Sequence, residues 1–146
     1  MNLRIVTSGK RKRAIARAVL MEGEGKITIN GKDYLMMHIF DRLNIEEPLR
    51  IAENFLGKRN FNVAITVCGG GEKGQIDAAR LALTRAILEF SKSNAKAKPS
   101  EKSEAKELEK QFIDYDWSLL VADVRRKESN KPGDSKARAK RQKSFR

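Results

Sequence analysis

Polar and apolar positions alternate in some parts of this chain and recur at helical spacing in others. Phe61 to Cys68, FNVAITVC, sets Phe61, Val63, Ile65 and Val67 on alternate positions, the period of a strand with one buried face. Arg4 to Thr7 and Ala14 to Met21 are also strand-like, each bounded by Gly-containing turns. The segment EGEGK, Glu22 to Lys26, separates AIARAVLM from KITIN at hairpin spacing, so those two runs are expected to pair. Asn30-Gly31 is a second turn signal.

Helical periods follow. EPLRIAENFL, Glu47 to Leu56, predicts a helix with Pro48 in its first turn and Leu49, Ala52 and Leu56 on one side. QIDAARLALTRAILEFSKS places Ile76, Ala79, Leu83, Ala86, Ile87 and Phe90 on one stripe, with Asp77, Arg80, Thr84 and Glu89 mostly off it. That predicts a long helix packed on the sheet. NAKAKPSEKSEAKELEKQF, with Pro99 and alternating charge, reads as a solvated helix or connector carrying no function. DWSLLVADV, Asp116 to Val124, is apolar enough to dock on the body, and beyond it large aliphatic residues disappear.

Length and charge sharpen this outline. The 146 residues suit one core with appendages, predicted as a globular body over 1–124 and an extended tail over 125–146. Of 31 Lys plus Arg, six lie in residues 1–17 beside no acid, and ten lie in residues 125–146 beside two acids. The intervening residues hold 15 basic and 17 acidic side chains, so an almost neutral body carries two basic ends. The last twelve residues, SKARAKRQKSFR, are too poor in apolar side chains to offset the entropy of ordering themselves. Holding them still needs a dense negative partner, and nucleic-acid phosphate is the commonest one.

Several function classes are disfavoured. A membrane-surface helix needs an apolar face, and the tail offers only Phe145. No run approaches the ~20 apolar residues of a membrane span, and the start lacks a signal-peptide core. Cys68 and His38 are the only residues of their kinds, which leaves no disulfide framework and too few ligands for a metal site. A reducing compartment is the default, and both residues read as packed side chains. Asp114 and Asp116 beside Tyr115 have no histidine or metal ligand in company, so a solvated or capping role is expected and catalysis is not.

CGGGEKGQ, Cys68 to Gln75, satisfies G-x-G-x-x-G between a strand and a helix. A dinucleotide site would need a further strand after the helix, and a charged connector follows instead. The phosphate-cradling G-x-x-x-x-G-K-S/T form fails as well, because Gln75 and Ile76 occupy its Lys and hydroxyl positions. Glycines at a helix start still allow close backbone approach to phosphate, with Lys73 as a nearby cation; the plainer reading is a tight turn. Arg80 and Arg85 lie about 140° apart around the helix, so at least one is expected to face outward, free for phosphate. A nucleotide-dependent enzyme using Gly69 to Gly74 and a free-standing nucleic-acid-binding module are the competing functional readings.

SGKRKRAIARAVL, GKITING, CGGGEKGQIDAARLALTRAILEF and DVRRKESNKPGDSKARAKRQKSFR, in this order, resemble the small ribosomal subunit protein nine family of the archaeal and eukaryotic type. The resemblance covers nearly the whole chain and departs only at about Asn94 to Lys110. It implies a two-layer α/β (α+β) fold: a mainly antiparallel sheet with helices on one face, a left-handed βαβ crossover, and an extended basic C-terminal tail. It further implies a cytoplasmic ribosomal location, with small-subunit ribosomal RNA, neighbouring proteins of the subunit head and the peptidyl-site transfer RNA as partners. Neither a cofactor, a metal nor a membrane is expected.

The residues expected at ribosomal RNA are Lys10, Arg11, Lys12, Arg13 and Arg17 in the first block and Gly69, Gly70, Gly71, Lys73, Gln75, Arg80 and Arg85 around the glycines. In the tail they are Arg125, Arg126, Lys127, Lys131, Lys136, Arg138 and Lys140. By motif match, Arg141, Lys143, Ser144, Phe145 and Arg146 fall nearest the transfer RNA. Arginines can fork onto phosphate oxygens where lysines act as point charges. Phe145 can stack on a base or ribose or make a simple packing contact. Twenty-two residues from Arg125 extend roughly 70 Å, well beyond a body of this size.

Overall fold

In the computed structural model, which describes residues 4–57, 60–97, 101–132 and 136–138, strands and helices occur in mixed order. The strands are β1 (Arg4–Arg11), β2 (Ala14–Glu22), β3 (Ile27–Ile29), β4 (Lys32–Asp33) and β5 (Phe61–Cys68). The helices are α1 (Ile39–Leu56), between β4 and β5, then α2 (Glu72–Ala97) and α3 (Glu101–Tyr115), with a short 3-10 turn at Trp117–Leu119 closing the body. The sheet order is β1-β2-β5-β3-β4, antiparallel except for the β3/β5 pair. α1 lies in the connection between those two parallel strands.

The alternation read in β5 holds: Phe61, Val63, Ile65 and Val67 are buried. Ala14, Ala16, Ala18 and Leu20 of β2 share that face, and α2 packs across β1, β2 and β5. Small residues set the spacing, because a Cβ on Gly9 would fall 2.2 Å from the Ala78 carbonyl oxygen of α2. The opposite face carries Val6, Lys10, Ile15, Arg17, Thr66 and Cys68, and among the described residues it is exposed. Helices on one face of a mainly antiparallel sheet is the architecture expected.

Five expectations need correction. AIARAVLM and KITIN do not pair, since β5 lies between them. EGEGK instead passes the start of β5, where the Asn62 Oδ1 accepts from the backbone N–H of Gly25 at 3.0 Å and Lys26 at 2.8 Å. Tight turns dictate pairing only when no third strand competes for the edge. Asn30-Gly31 does close a hairpin, β3 with β4.

The first helix begins at Ile39, and Pro48 lies inside it. Interior proline normally costs about 3 kcal/mol. Burial of Ile45, Leu49 and Ala52 offsets that cost, as do the Arg42 and Arg50 hydrogen bonds to the Glu46 carboxylate at 2.7 and 3.0 Å. Thr84 is fully buried because α2 packs on the sheet and also against α1 and α3, and its hydroxyl donates to the Arg80 carbonyl at 2.9 Å. The charged stretch is no solvated connector: α3 buries Ala105, Leu108 and Phe112 against the body. Cys68 and His38 are exposed, His38 lying against the Phe40 ring at 5.5 Å. No described helix is long and apolar enough to cross a membrane.

Candidate nucleic-acid interface

Strand geometry divides the first basic block. Along β1 the side chains alternate, so Lys10 lies on the exposed sheet face while Arg11 turns toward α2. Arg11 there pairs with Asp77 on α2 at 3.4 Å and with Asp123 beyond the body's last turn. Lys12 and Arg13 form the two-residue turn between β1 and β2, both exposed. Lys12 has φ 53°, a left-handed conformation that glycine would adopt with less strain. A cation is held at this tip against local preference. Arg17, on β2, shares the exposed sheet face with Lys10, and Arg4 adds a third cation there. Arg4 was legible from the period-two spacing of β1 but escaped the sequence reading.

The glycine stretch meets this turn directly. A Cβ on Gly69 would lie 2.7 Å from the Arg13 carbonyl oxygen, and one on Gly70 would lie 2.8 Å from the Ala14 nitrogen. Both residues have positive φ, 72° and 67°. Close approach of two backbones therefore accounts for these glycines, whereas Gly71 faces open space. Gln75 Nε2 donates to the Gly69 carbonyl at 3.1 Å, and the Lys73 ammonium pairs with Asp41 at 2.6 Å. α3 follows α2 in the chain, so the βαβ arrangement of a dinucleotide site is not formed.

Neither helical arginine is free, which corrects the expectation that one would be. Arg80 is largely buried between Glu47 and Asp116, the latter at 3.1 Å. Arg85 donates from Nη1 to the Ser8 carbonyl at 2.9 Å and from Nε and Nη2 to the Leu120 carbonyl. The 100° helical increment locates a side chain around α2 but says nothing of the segments that later arrive beside it. Asp116 has the capping role expected of it, accepting from the Ser118 N–H and hydroxyl at 2.9 and 2.8 Å. Burial opposes its ionisation, but those Ser118 bonds and the Arg80 charge outweigh it and hold the carboxyl below its ordinary range.

From Ala122 to Lys131 the chain has no regular secondary structure, and Val124 to Lys131 are exposed. Asp123 anchors its root, receiving Arg11 from β1 and Arg125 at 2.8 Å. Asp123 was missed because its partner Arg11 is more than a hundred positions away, although a lone acid beside three basic residues was a usable signal. Arg126 donates to the Asp123 carbonyl at 3.1 Å, and Arg138 pairs with Glu128 at 2.9 Å. Lys10, Lys12, Arg13, Arg17, Lys127, Lys131 and Lys136 make no ion pair with any described residue. Lys140, Arg141, Lys143, Ser144, Phe145 and Arg146 lie outside the described residues.

Unpaired cations thus gather at the β1–β2 turn, on the bare sheet face and along the segment leaving the body. Such a surface can neutralise phosphate at several points, while Arg11, Lys73 and Arg80 are held by the body's own acids and Arg85 by its carbonyls. Residues 9–146 match the family described as ribosomal protein S9/S16. The chain is 43% identical over 143 residues to the small ribosomal subunit protein uS9 of Thermoplasma volcanium, covering 97% of this chain and 98% of that protein. It is 45% identical over 143 residues to that of Methanococcus vannielii, with 96% of each chain covered. With a match that runs from the first basic block through the glycine stretch to the basic end, the chain belongs to the ribosomal protein S9/S16 family.

Proposed function

We propose that this small-subunit ribosomal protein is a structural constituent of the subunit head that holds ribosomal RNA by two basic surfaces and catalyses no reaction. The first is the β1–β2 turn with the exposed sheet face, led by Lys10, Lys12, Arg13 and Arg17. The second is the tail, residues 125–146, running out from Arg125, Arg126 and Lys127 and reaching the peptidyl-site transfer RNA through Arg141, Lys143 and Arg146. Gly71 supplies backbone that phosphate can approach. Arg11, Lys73, Arg80 and Arg85 serve this surface from behind, by fixing the elements that carry it. Its partners are the RNA, the transfer RNA and adjacent head proteins, in the cytoplasmic ribosome.

The observation that carries this reading is the segregation of charge. Acids in the body pair with Arg11, Lys73 and Arg80, while Lys12 and Arg13 at the turn and Lys127 and Lys131 along the exit segment make no ion pair with a described residue. A native extract is sedimented through a density gradient, repeated after a high-salt wash, and the chain followed by mass spectrometry. Stoichiometric co-migration with small subunits that survives the wash is expected. A chain left at the top, or washed off entirely, would make a free-standing RNA-binding module the better account. Removing Arg146 alone should leave subunit assembly intact and weaken peptidyl-site transfer RNA; a severe assembly defect contradicts that division.

A further inference from the structure

Where the tail leaves the body, a cavity of about 490 Å³ opens between β1, α2 and the Trp117–Leu119 turn. Trp117 lines it and is 59% exposed, although tryptophan is the largest apolar side chain available for burial. Val124, on the far side of Asp123, also lines it and is 85% exposed. Folding alone leaves both unexplained, because the same segment buries Leu119 completely. An aromatic face and an aliphatic side chain held open beside one another mark a surface that something else covers.

Charge identifies the occupant. Lys10, Arg11, Arg80 and Arg125 line the cavity against only two acids, Asp77 and Asp123. Both acids already pair with Arg11. Lys10 has no ion pair among the described residues, and Arg125, although it pairs with Asp123 at 2.8 Å, keeps its side chain 81% exposed. A net-positive rim around an exposed indole fits a π-face joined to phosphate, and Val124 and Arg125, at the start of the basic exit segment, line the cavity.

We infer that this cavity takes an unstacked RNA base, laid on the Trp117 ring with its flanking phosphates against Lys10 and Arg125. The inference rests on the RNA-binding reading above and adds a base-stacking position to what is otherwise a phosphate-binding surface. Single-stranded bases stack on aromatic side chains regardless of sequence, so the site selects unpaired nucleotides over duplex.

Trp117 is the chain's only tryptophan, so its fluorescence reports this site alone. The full chain is titrated with a single-stranded oligoadenylate and with an abasic ribose-phosphate strand of equal length, binding being followed separately by gel shift. Oligoadenylate should quench the emission, while the abasic strand should bind without quenching. Trp117→Ala should weaken oligoadenylate on the order of tenfold and leave the abasic strand and the salt dependence unchanged, with Trp117→Phe restoring most of the loss. Binding of oligoadenylate with unaltered emission and no effect of Trp117→Ala overturns the stacking site and leaves RNA binding standing. A chain that binds neither strand overturns both. Trp117 that becomes covered only in the assembled subunit, cross-linking to protein and not to RNA, also overturns the stacking site.

Discussion

The guanidinium of Arg85 closes on the carbonyl oxygen of Leu120 with two hydrogen bonds, from Nε at 3.0 Å and from Nη2 at 2.9 Å. Its third donor reaches Ser8 on β1, so one side chain ties the middle of α2 to the first strand and to the segment from which the tail departs. The Leu120 carbonyl lies just past a 3-10 turn and has no helix to satisfy it. Replacing Arg85 with Ala should therefore lower the stability of the body by about 1–3 kcal/mol in denaturant unfolding. The salt dependence of RNA binding should not move. A stable variant whose salt slope falls by about one would make Arg85 a phosphate ligand instead.

Lys12 occupies a left-handed turn position at φ 53° with its side chain exposed. Lys12→Gly should leave stability unchanged or raise it by up to about 1 kcal/mol, and at the same time weaken RNA binding with a shallower salt slope. Stability and affinity moving in opposite directions is the signature of a residue kept for its charge. Unchanged affinity would remove Lys12 from the interface.

Gly70 and Gly71 are neighbours with different obligations. Gly70→Ala places a methyl 2.8 Å from the Ala14 nitrogen at a positive φ, and should cost about 1–3 kcal/mol. Gly71→Ala meets nothing within 4 Å and should leave the unfolding midpoint where it was. Equal effects at the two positions would mean that the loop does not rest on the β1–β2 turn.

Glu46 is buried in α1 between Arg42 and Arg50. The Arg42 hydrogen bond, reinforced by that from Arg50, outweighs burial and holds the carboxyl below its ordinary range. A carboxyl lowered on folding stabilises the protein fully above its unfolded value, about pH 4.3, and loses that contribution as pH falls through the folded value. Glu46→Gln should thus destabilise at neutral pH and flatten the acid side of the stability profile. The same acid slope in variant and parent would show that Glu46 does not set it.

Deleting Lys136 to Arg146 removes six basic residues and no acid. The salt slope of RNA binding should fall by up to about five, and the unfolding of the body should be unaffected, because none of the described residues of this segment, 136–138, is buried. An unchanged slope would mean that the tail is not laid along phosphate.

Features that depend on near neighbours or on bulk composition were legible before any folding. Phe61 to Cys68 could be read as a half-buried strand because burial of one face imposes period two. The stripe from Ile76 to Phe90 was legible because a helix buries one side, and the basic end was legible because its composition cannot build a core. The family resemblance came from the same local blocks. Tertiary structure alone decided which strand lies beside which, placing β5 between β2 and β3, and it let α1 run through Pro48 by burying the residues around it. It also decided which cations are free. Arg11, Arg80 and Arg85 look no different from Lys12 and Arg13 in the sequence, yet their partners Asp123, Asp116 and Leu120 arrive from 35 to 112 positions later in the chain. Charge is a property of a residue, but pairing is a property of the space around it, and that space is closed by the last segment to dock.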